Sequence, residues 1–298
     1  MDNLNETRTF LAVVDALSFA AAARRLHISS AQASKLVTRL ESRLGVRLLN
    51  RTTRDVSLTD AGASYAARAS AIVDDFDSLE AEVRDGARSL KGTLRIAAPV
   101  SFASLVLDEL LLDFAKAERE LTIEVFYADR TVNIVEEGYD VAVRVGAMSD
   151  SSLVAKKLGE ARILCMASAK YLAKNGIPKT PDQLGKHDCI IDLNARDPFA
   201  WSFRVGRQDQ TIPVHGSLRF SRAETCLRAA RLGFGITRSP AFVAVAGLRS
   251  GALVPILEPF EPDSLPINAI YPHARHLPTK VRVFLDFLAL RIPRVFME

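Results

Sequence analysis

Over the first 85 positions, apolar residues recur at helical spacing. Phe10, Val13, Val14 and Leu17 form an i, i+3, i+4, i+7 stripe, which predicts a first helix over about Leu4 to Leu17. Ser18 can cap a second helix, Phe19 to Leu26. His27-Ile28-Ser29 reads as a turn. Ser29-Ser30-Ala31-Gln32 has the Ser-x-x-Gln form of a capping box, opening a third helix that stops at Leu44 before Gly45. On that helix Ala33, Leu36, Val37, Leu40 and Leu44 share the face expected to turn inward. Ser30, Ser34, Lys35, Thr38 and Arg39 are left outside. Val46 to Leu49 and Asp55 to Leu58 then read as short strands flanking Asn50-Arg51-Thr52-Thr53-Arg54, the pattern of a two-stranded wing.

From Thr59, a candidate cap, to about Arg88 there is no proline, and no glycine between Gly62 and Gly86, so one long helix is expected. Tyr65, Ala69, Ile72, Phe76, Leu79 and Val83 alternate at spacings of four and three along it, a heptad seam. Such a stripe could dock on the chain's own domains. The surrounding Asp74, Asp75, Asp77, Glu80, Glu82 and Arg84 leave it narrow, which favours a partner helix.

Beyond a hinge at Arg88 to Thr93 the pattern changes to alternating strands and helices. Leu94 to Ala97, Thr122 to Tyr127 and Val141 to Val145 read as strands; a helix carries Leu107, Leu110, Leu111 and Phe114, and a short one is expected over Val132 to Glu137. The same grammar restarts at Ile163 to Ala167, with a helix Ala169 to Asn175, strands Cys189 to Asp192 and Val214 to Phe220, a helix Arg222 to Leu232 and a strand Gly235 to Thr237. Two parallel-sheet lobes are expected, closed by Ile267 to Tyr271 and an amphipathic helix through Val281, Phe284, Leu285 and Leu288.

Charge sharpens this picture. Between Ala20 and Arg54 stand Arg24, Arg25, Lys35, Arg39, Arg43, Arg47, Arg51 and Arg54 against the single acid Glu41, in a chain of net charge +4. Basic charge concentrated on a helix-turn-helix pattern points to DNA, because hydroxyls can bond either kind of base edge and Lys or Arg reach guanine or phosphate. Arg51 and Arg54 at the wing could meet phosphates or a narrow minor groove, or form a merely solvated hairpin tip. The 298 residues, 48% apolar and 25% charged, exclude a disordered chain. The opening Met1-Asp2-Asn3 lacks the features of a signal peptide and no run suits a membrane span, so the expected location is the cytoplasm, with no membrane partner. Five scattered histidines and three separated cysteines suggest no metal site, cofactor or disulfide framework. The chain also lacks a nucleophile elbow, a zinc-protease motif and a full dinucleotide fingerprint, so no catalytic residues are assigned and an enzyme is disfavoured.

Residues 4 to 62 resemble the N-terminal domain of LysR-type transcriptional regulators, through Ser18-Phe19-Ala20-Ala21-Ala22-Ala23, the Ser34 to Glu41 run, Leu48-Leu49-Asn50-Arg51-Thr52-Thr53-Arg54 and Leu58-Thr59-Asp60-Ala61-Gly62. The resemblance extends more loosely over the whole chain. It departs at Ser30, where the family often has Gln or Pro, and at Gln32, where it has a small residue. It implies an α/β multidomain fold: a winged helix-turn-helix at 1–62, a dimerising linker helix at 63–89 and a two-lobed, periplasmic-binding-protein-like α/β effector domain at 92–298. Lobe I would take about 92–160 and 266–298, and lobe II about 161–265. The implied partners are double-stranded DNA, a small-molecule effector and further copies of the chain in a homodimer or homotetramer, with RNA polymerase as a further partner of that kind. Base reading would fall to Ser30, Gln32, Ser34, Lys35, Thr38 and Arg39.

Open parallel sheets bind ligands beyond the carboxyl ends of their strands. Ser101 and Phe102 follow the first strand of lobe I, where amides could hold an anion or Ser101 could merely cap a helix. Arg144 interrupts an apolar strand and could meet a carboxylate ligand or an internal acid. Ser221-Arg222-Ala223-Glu224 reads as a capping box, and by resemblance the same turn borders the effector cleft. Arg130 and Asp192 are further candidates, while Trp201 reads as core. The combination suggests a carboxylate effector. Two other inputs compete with it: thiol-based redox sensing through Cys165, Cys189 and Cys226, whose apolar settings suggest core thiols, and a plain two-lobed solute-binding protein, which leaves the basic helix pair unexplained.

Overall fold

The computed structural model describes residues 3–51, 56–85, 90–130, 132–146, 153–272 and 277–295. It opens with α1 (Asn3–Ala16), α2 (Phe19–Arg25) and α3 (Ser30–Leu44). Ser18 Oγ accepts from the Ala21 amide and Ser29 Oγ from the Gln32 amide, so both hydroxyls cap as their positions suggest. Gly45, at φ 69°, ends α3 in a left-handed cap and returns its N–H to the Glu41 carbonyl. Phe10, Val13, Ala22, Val37, Leu40, Leu48 and Leu49 form one core. Leu36 is only half-buried. Leu44 is exposed and borders a groove beside α1 instead of entering the core.

The wing is β1 (Leu49–Arg51) and β2 (Val56–Leu58), antiparallel, with Leu49 opposite Leu58. Glu41 fixes its entry: Oε1 accepts from the Leu48 amide at 2.9 Å and the Leu49 amide at 3.1 Å. Helix α4 (Asp60–Asp85) begins where Thr59 Oγ1 accepts from the Gly62 amide at 2.9 Å. The Leu48 carbonyl meanwhile accepts from the Thr59 amide at 3.0 Å.

The remaining elements build two sheets. In the first lobe β3 (Gly92–Ala98) leads into α5 (Val100–Phe102), a π-helical turn at Ala103–Leu107 and α6 (Asp108–Ala117), followed by β4 (Leu121–Tyr127), β5 (Val141–Val145) and β6 (Leu153–Ala161). The second lobe holds β7 (Ile163–Ala167), α7 (Ala169–Asn175), β8 (Cys189–Asp192), β9 (Ala200–Val205), β10 (Gln208–Pro213), β11 (Arg219–Phe220), α8 (Ala223–Arg231), β12 (Ile236–Pro240), α9 (Ala241–Arg249) and β13 (Val254–Ile256). Then β14 (Leu265–Pro272) and α10 (Thr279–Val295) return to the first. The sheet orders are β4-β3-β5-β14-β6 and β11-β8-β12-β7-β13. In each, four strands run the same way and one, β14 in the first sheet and β7 in the second, runs against them, so the sheets are mixed and not purely parallel. Strands β6 and β14 connect the lobes. Ile267, Ala269, Val281, Phe284, Leu285 and Leu288 lie in the first lobe's core.

Three local expectations fail. Residues 132–137 form a turn, not a helix, because Asn133 bonds the amides of Glu136 and Glu137 and Gly138, at φ 71°, ends the coil immediately. The strand expected over Val214 to Phe220 shrinks to Arg219–Phe220, since Gly216 passes so close to the Cys189 carbonyl that a Cβ would lie 1.7 Å from its oxygen. The α8 capping box does not form. Its N-cap is Arg222, without a side-chain cap, and the Ser221 carbonyl instead accepts from Asn194 Nδ2 at 2.5 Å. No helix among the described residues is long and apolar enough to cross a membrane.

A Cβ on Gly62 would lie 2.0 Å from the Leu48 carbonyl oxygen. Gly to Ala inside a helix ordinarily stabilises by roughly 0.5–1 kcal/mol. Here the sign should reverse: Gly62→Ala is expected to cost about 1–3 kcal/mol through overpacking, read as a lower urea midpoint for unfolding of the N-terminal domain. An unchanged or higher midpoint would contradict the close approach.

Candidate DNA-binding face and effector cleft

Helix α3 presents Ser30, Gln32, Lys35, Thr38 and Arg39 to solvent, with Ser34 half-buried. Thr38 Oγ1 donates to the Ser34 carbonyl at 2.8 Å. The basic residues do not all point the same way. Arg43 pairs at 3.2 Å with Glu6, which is 6% exposed, and Arg25 pairs with Asp15 at 3.2 Å. These two brace helices, leaving Lys35 and Arg39 on the outer face of α3. The Arg51 side chain and all of Arg54 lie outside the described residues.

On α4 the seam divides. Tyr65 packs edge-on against Phe10 with centroids 5.6 Å apart, its hydroxyl 2.9 Å from Thr7 Oγ1, and Ala69 is buried. Tyr65 thus belongs to the core of the chain's own winged domain. Ile72 is 65% and Phe76 40% exposed. The side chains of Leu79 and Val83 are outside the described ones.

The expected effector residues are spread over both lobes, and Asp192 of lobe II senses the charge of Asp129 of lobe I. The Val100 amide, at the start of α5, donates to Asp129 Oδ1 at 3.0 Å. An internal carboxylate therefore occupies the helix start that was read as an anion site, and Ser101 makes no side-chain cap. Phe102 is buried core, edge-on to Phe242 at the lobe junction. Arg130 is held by Glu137 through two bonds of 2.8 and 2.5 Å. Arg144 Nη1 donates to the Arg130 carbonyl at 3.1 Å, while its Nη2 is buried without a hydrogen-bond partner. Burial lowers the Arg144 pKa, and the neighbouring Arg130 adds to that. In lobe II, Asp192 Oδ1 accepts from the Asn194 amide at 2.9 Å. Its pKa is raised by burial, and by the negative charges of Asp129 across the cleft and Glu224 beside it. Glu224 Oε2 is buried, unbonded, and 3.9 Å from Arg222 Nε. Asp129 carries no motif in the sequence. Its place just past the carboxyl end of β4 is the signal that could have marked it.

Cys165, Cys189 and Cys226 are free and buried, and burial pushes each thiol up to about 12. Trp201 is core, 4% exposed. Among the described residues no cluster of three His, Cys, Asp or Glu could hold a metal ion.

Residues 4–63 match the family described as bacterial regulatory helix-turn-helix protein, lysR family, and residues 87–291 match the LysR substrate binding domain. The chain belongs to the LysR family. It is 37% identical over 281 residues to an uncharacterised HTH-type transcriptional regulator of Haemophilus influenzae, covering 94% of this chain and 98% of that one. It is 34% identical over 290 residues to an HTH-type transcriptional repressor of Pseudomonas aeruginosa, covering 97% and 92%. Among solved structures, CrgA, a LysR-type transcriptional regulator from Neisseria meningitidis, superposes with TM-score 0.61 at 30% identity, covering 96% and 97%. This LysR-family protein is thus a DNA-binding transcriptional regulator with an effector-binding domain.

Because the Asp192 carboxyl is harder to ionise in the folded chain, ionising it costs stability, and the cost is present above the raised pKa and vanishes as pH falls below the ordinary value of 3.8. Asp192→Asn should therefore raise the thermal midpoint at pH 7, with the gain shrinking towards pH 3.5. A loss at pH 7, or a gain independent of pH, would contradict the assigned strain.

Proposed function

We propose that this regulator binds a dyad-related DNA site as a dimer, reading bases through Ser30, Gln32, Ser34, Lys35, Thr38 and Arg39 and anchoring on phosphates through Arg51 and Arg54. The observation that carries the reading is the outer face of α3, where hydroxyl, amide and cationic side chains stand together on a helix braced from behind by Phe10, Val13 and the Arg43–Glu6 pair. Such a face suits the major groove, and paired copies would meet it on successive turns about 34–36 Å apart.

The second copy is proposed to meet the chain along Ile72 and Phe76, with Leu79 and Val83 continuing the seam, while Tyr65 and Ala69 anchor it from within. The exposed Leu44 and Val46 beside α1 extend the apolar surface on offer. A tetramer would draw on further exposed apolar residues, Leu112 and Phe126 in lobe I and Leu232 and Phe234 in lobe II. The effector is proposed to sit between the lobes at Ser101, Phe102, Arg130, Arg144, Asp192, Ser221 and Glu224. Arg144 Nη2, buried and without a hydrogen-bond partner, supports a ligand carboxylate. Asp129, Asp192 and Glu224 favour one that also carries a protonated amine.

Three experiments test these parts separately. Lys35→Ala should weaken specific binding by about 1–3 kcal/mol and relax sequence preference in anisotropy titrations; equal loss on specific and random DNA would remove Lys35 from base reading. Ile72→Glu should shift the dimer towards monomer in light scattering, and an unmoved dimer would remove the seam. In a thermal-shift screen, amino acids should stabilise the protein more than the matching acids without the amine. No difference between the two sets would withdraw the zwitterionic reading.

A further inference from the structure

Asp129, Arg130 and residues 132–140 form an internally braced unit with one end in the cleft and the other on helix α4. At the cleft end Asp129 accepts from the Val100 amide, and Arg130 is clamped by both oxygens of Glu137. Glu137 Oε1 also accepts from the Asn133 amide at 2.9 Å, so the clamp and the turn are one hydrogen-bonded unit. Val132 and Ile134 tie that unit into the apolar cluster with Ala142 and Ile270. One residue beyond the clamp is Gly138, at φ 71°, where a Cβ would lie 2.4 Å from the carbonyl oxygen of Ala67 on α4. The backbones of lobe I and the linker helix touch there with no room for a side chain.

Two residues further on, Asp140 enters a buried ionic joint. Its Oδ2 accepts from the Arg95 amide at 2.8 Å, and its Oδ1 lies 3.6 Å from Lys280 Nζ. Lys280, 2% exposed in the first turn of α10, also donates to the Thr93 carbonyl at 2.6 Å. On the helix side, Asp74 of α4 reaches the same joint, bonding the Thr93 amide and sensing the charges of Lys280, Asp140 and Arg95. Ala67 and Asp74 are seven residues apart and so lie on one face of the helix, about 160° from the Tyr65–Ile72 face.

We infer that the unit held by the Arg130–Glu137 clamp is the mechanical link between the cleft and the linker helix: disturbing the clamp loosens the seat of Ala67 and Asp74 on lobe I. The inference borrows from the proposed function only that a ligand occupies the cleft. The link itself is testable without one.

The test is hydrogen exchange, followed by mass spectrometry, on the full-length protein without ligand. Asp74→Asn and Gly138→Ala disturb the seat directly and calibrate the readout; exchange of the α4 amides at 67–74 should rise about tenfold in each, with α1 unchanged. Arg130→Ala, at the far end of the unit, should raise exchange at the same amides. If Arg130→Ala speeds exchange only within 130–137 while Asp74→Asn speeds α4, the link is refuted. If Asp74→Asn leaves α4 at the wild-type rate, the seat itself is refuted, whether or not Gly138→Ala folds. Failure of the ligand screen would leave either result standing.

Discussion

Helix α4 is occupied on opposite faces, and the rest of the architecture depends on that double burial. One face, at Tyr65, completes the core of the winged domain; the other, at Ala67 and Asp74, rests on lobe I. Arg8 of α1 reaches across to Asp77 and lies 5.7 Å from the Phe76 ring centroid, so the first helix also follows α4. A helix held in this way transmits displacement well, because close-packed contacts shift between discrete arrangements instead of deforming smoothly. The joint on lobe I is small and polar. Burying Asp140 and Lys280 together is weak evidence for stability, since desolvation offsets most of the attraction. Its value lies in fixing where the helix sits.

The two ends of the molecule use charge differently. At the DNA end, acids such as Glu6 and Asp15 absorb the cations that brace helices, leaving Lys35 and Arg39 on the outer face of α3. In the cleft, three carboxylates approach one another and a guanidinium nitrogen is buried without a hydrogen-bond partner. Groups placed at such cost are the usual mark of a ligand site, because a ligand can supply the missing partners. The buried thiols are the counter-case: pushed up to about 12 and shielded from solvent, they have little thiolate with which to react.

How much of this could be read from sequence depended on how local the physics was. The caps at Ser18, Ser29 and Thr59 and the stop at Gly45 are set by neighbours within a few residues, and they stand where the sequence indicated. Buried apolar stripes such as Phe10 and Val13 were equally legible. The failures were non-local. Residues 132–137 have helical spacing, but Gly138 must pass against Ala67, about seventy positions earlier, and the coil ends. Helix α8 takes Arg222 as its N-cap, one residue past Ser221, and the capping box is unmade. The β9–β10 hairpin, closing Trp201 over its sheet, had an alternating pattern too weak to separate from loop. The candidate site was half visible: Arg144, Asp192 and Glu224 stood out as charges at element ends, whereas Asp129, Asp140 and Lys280 matter only because the fold brings distant segments together.

The central claim, a paired α3 reading a symmetric site, is tested most directly by selection of the full-length protein on a random duplex library, followed by sequencing of the bound fraction. The account predicts enrichment of two half-sites related by a dyad, their centres about 10–10.5 base pairs or a multiple of that apart. Enrichment of a single asymmetric site, or no enrichment over unbound DNA, would contradict it.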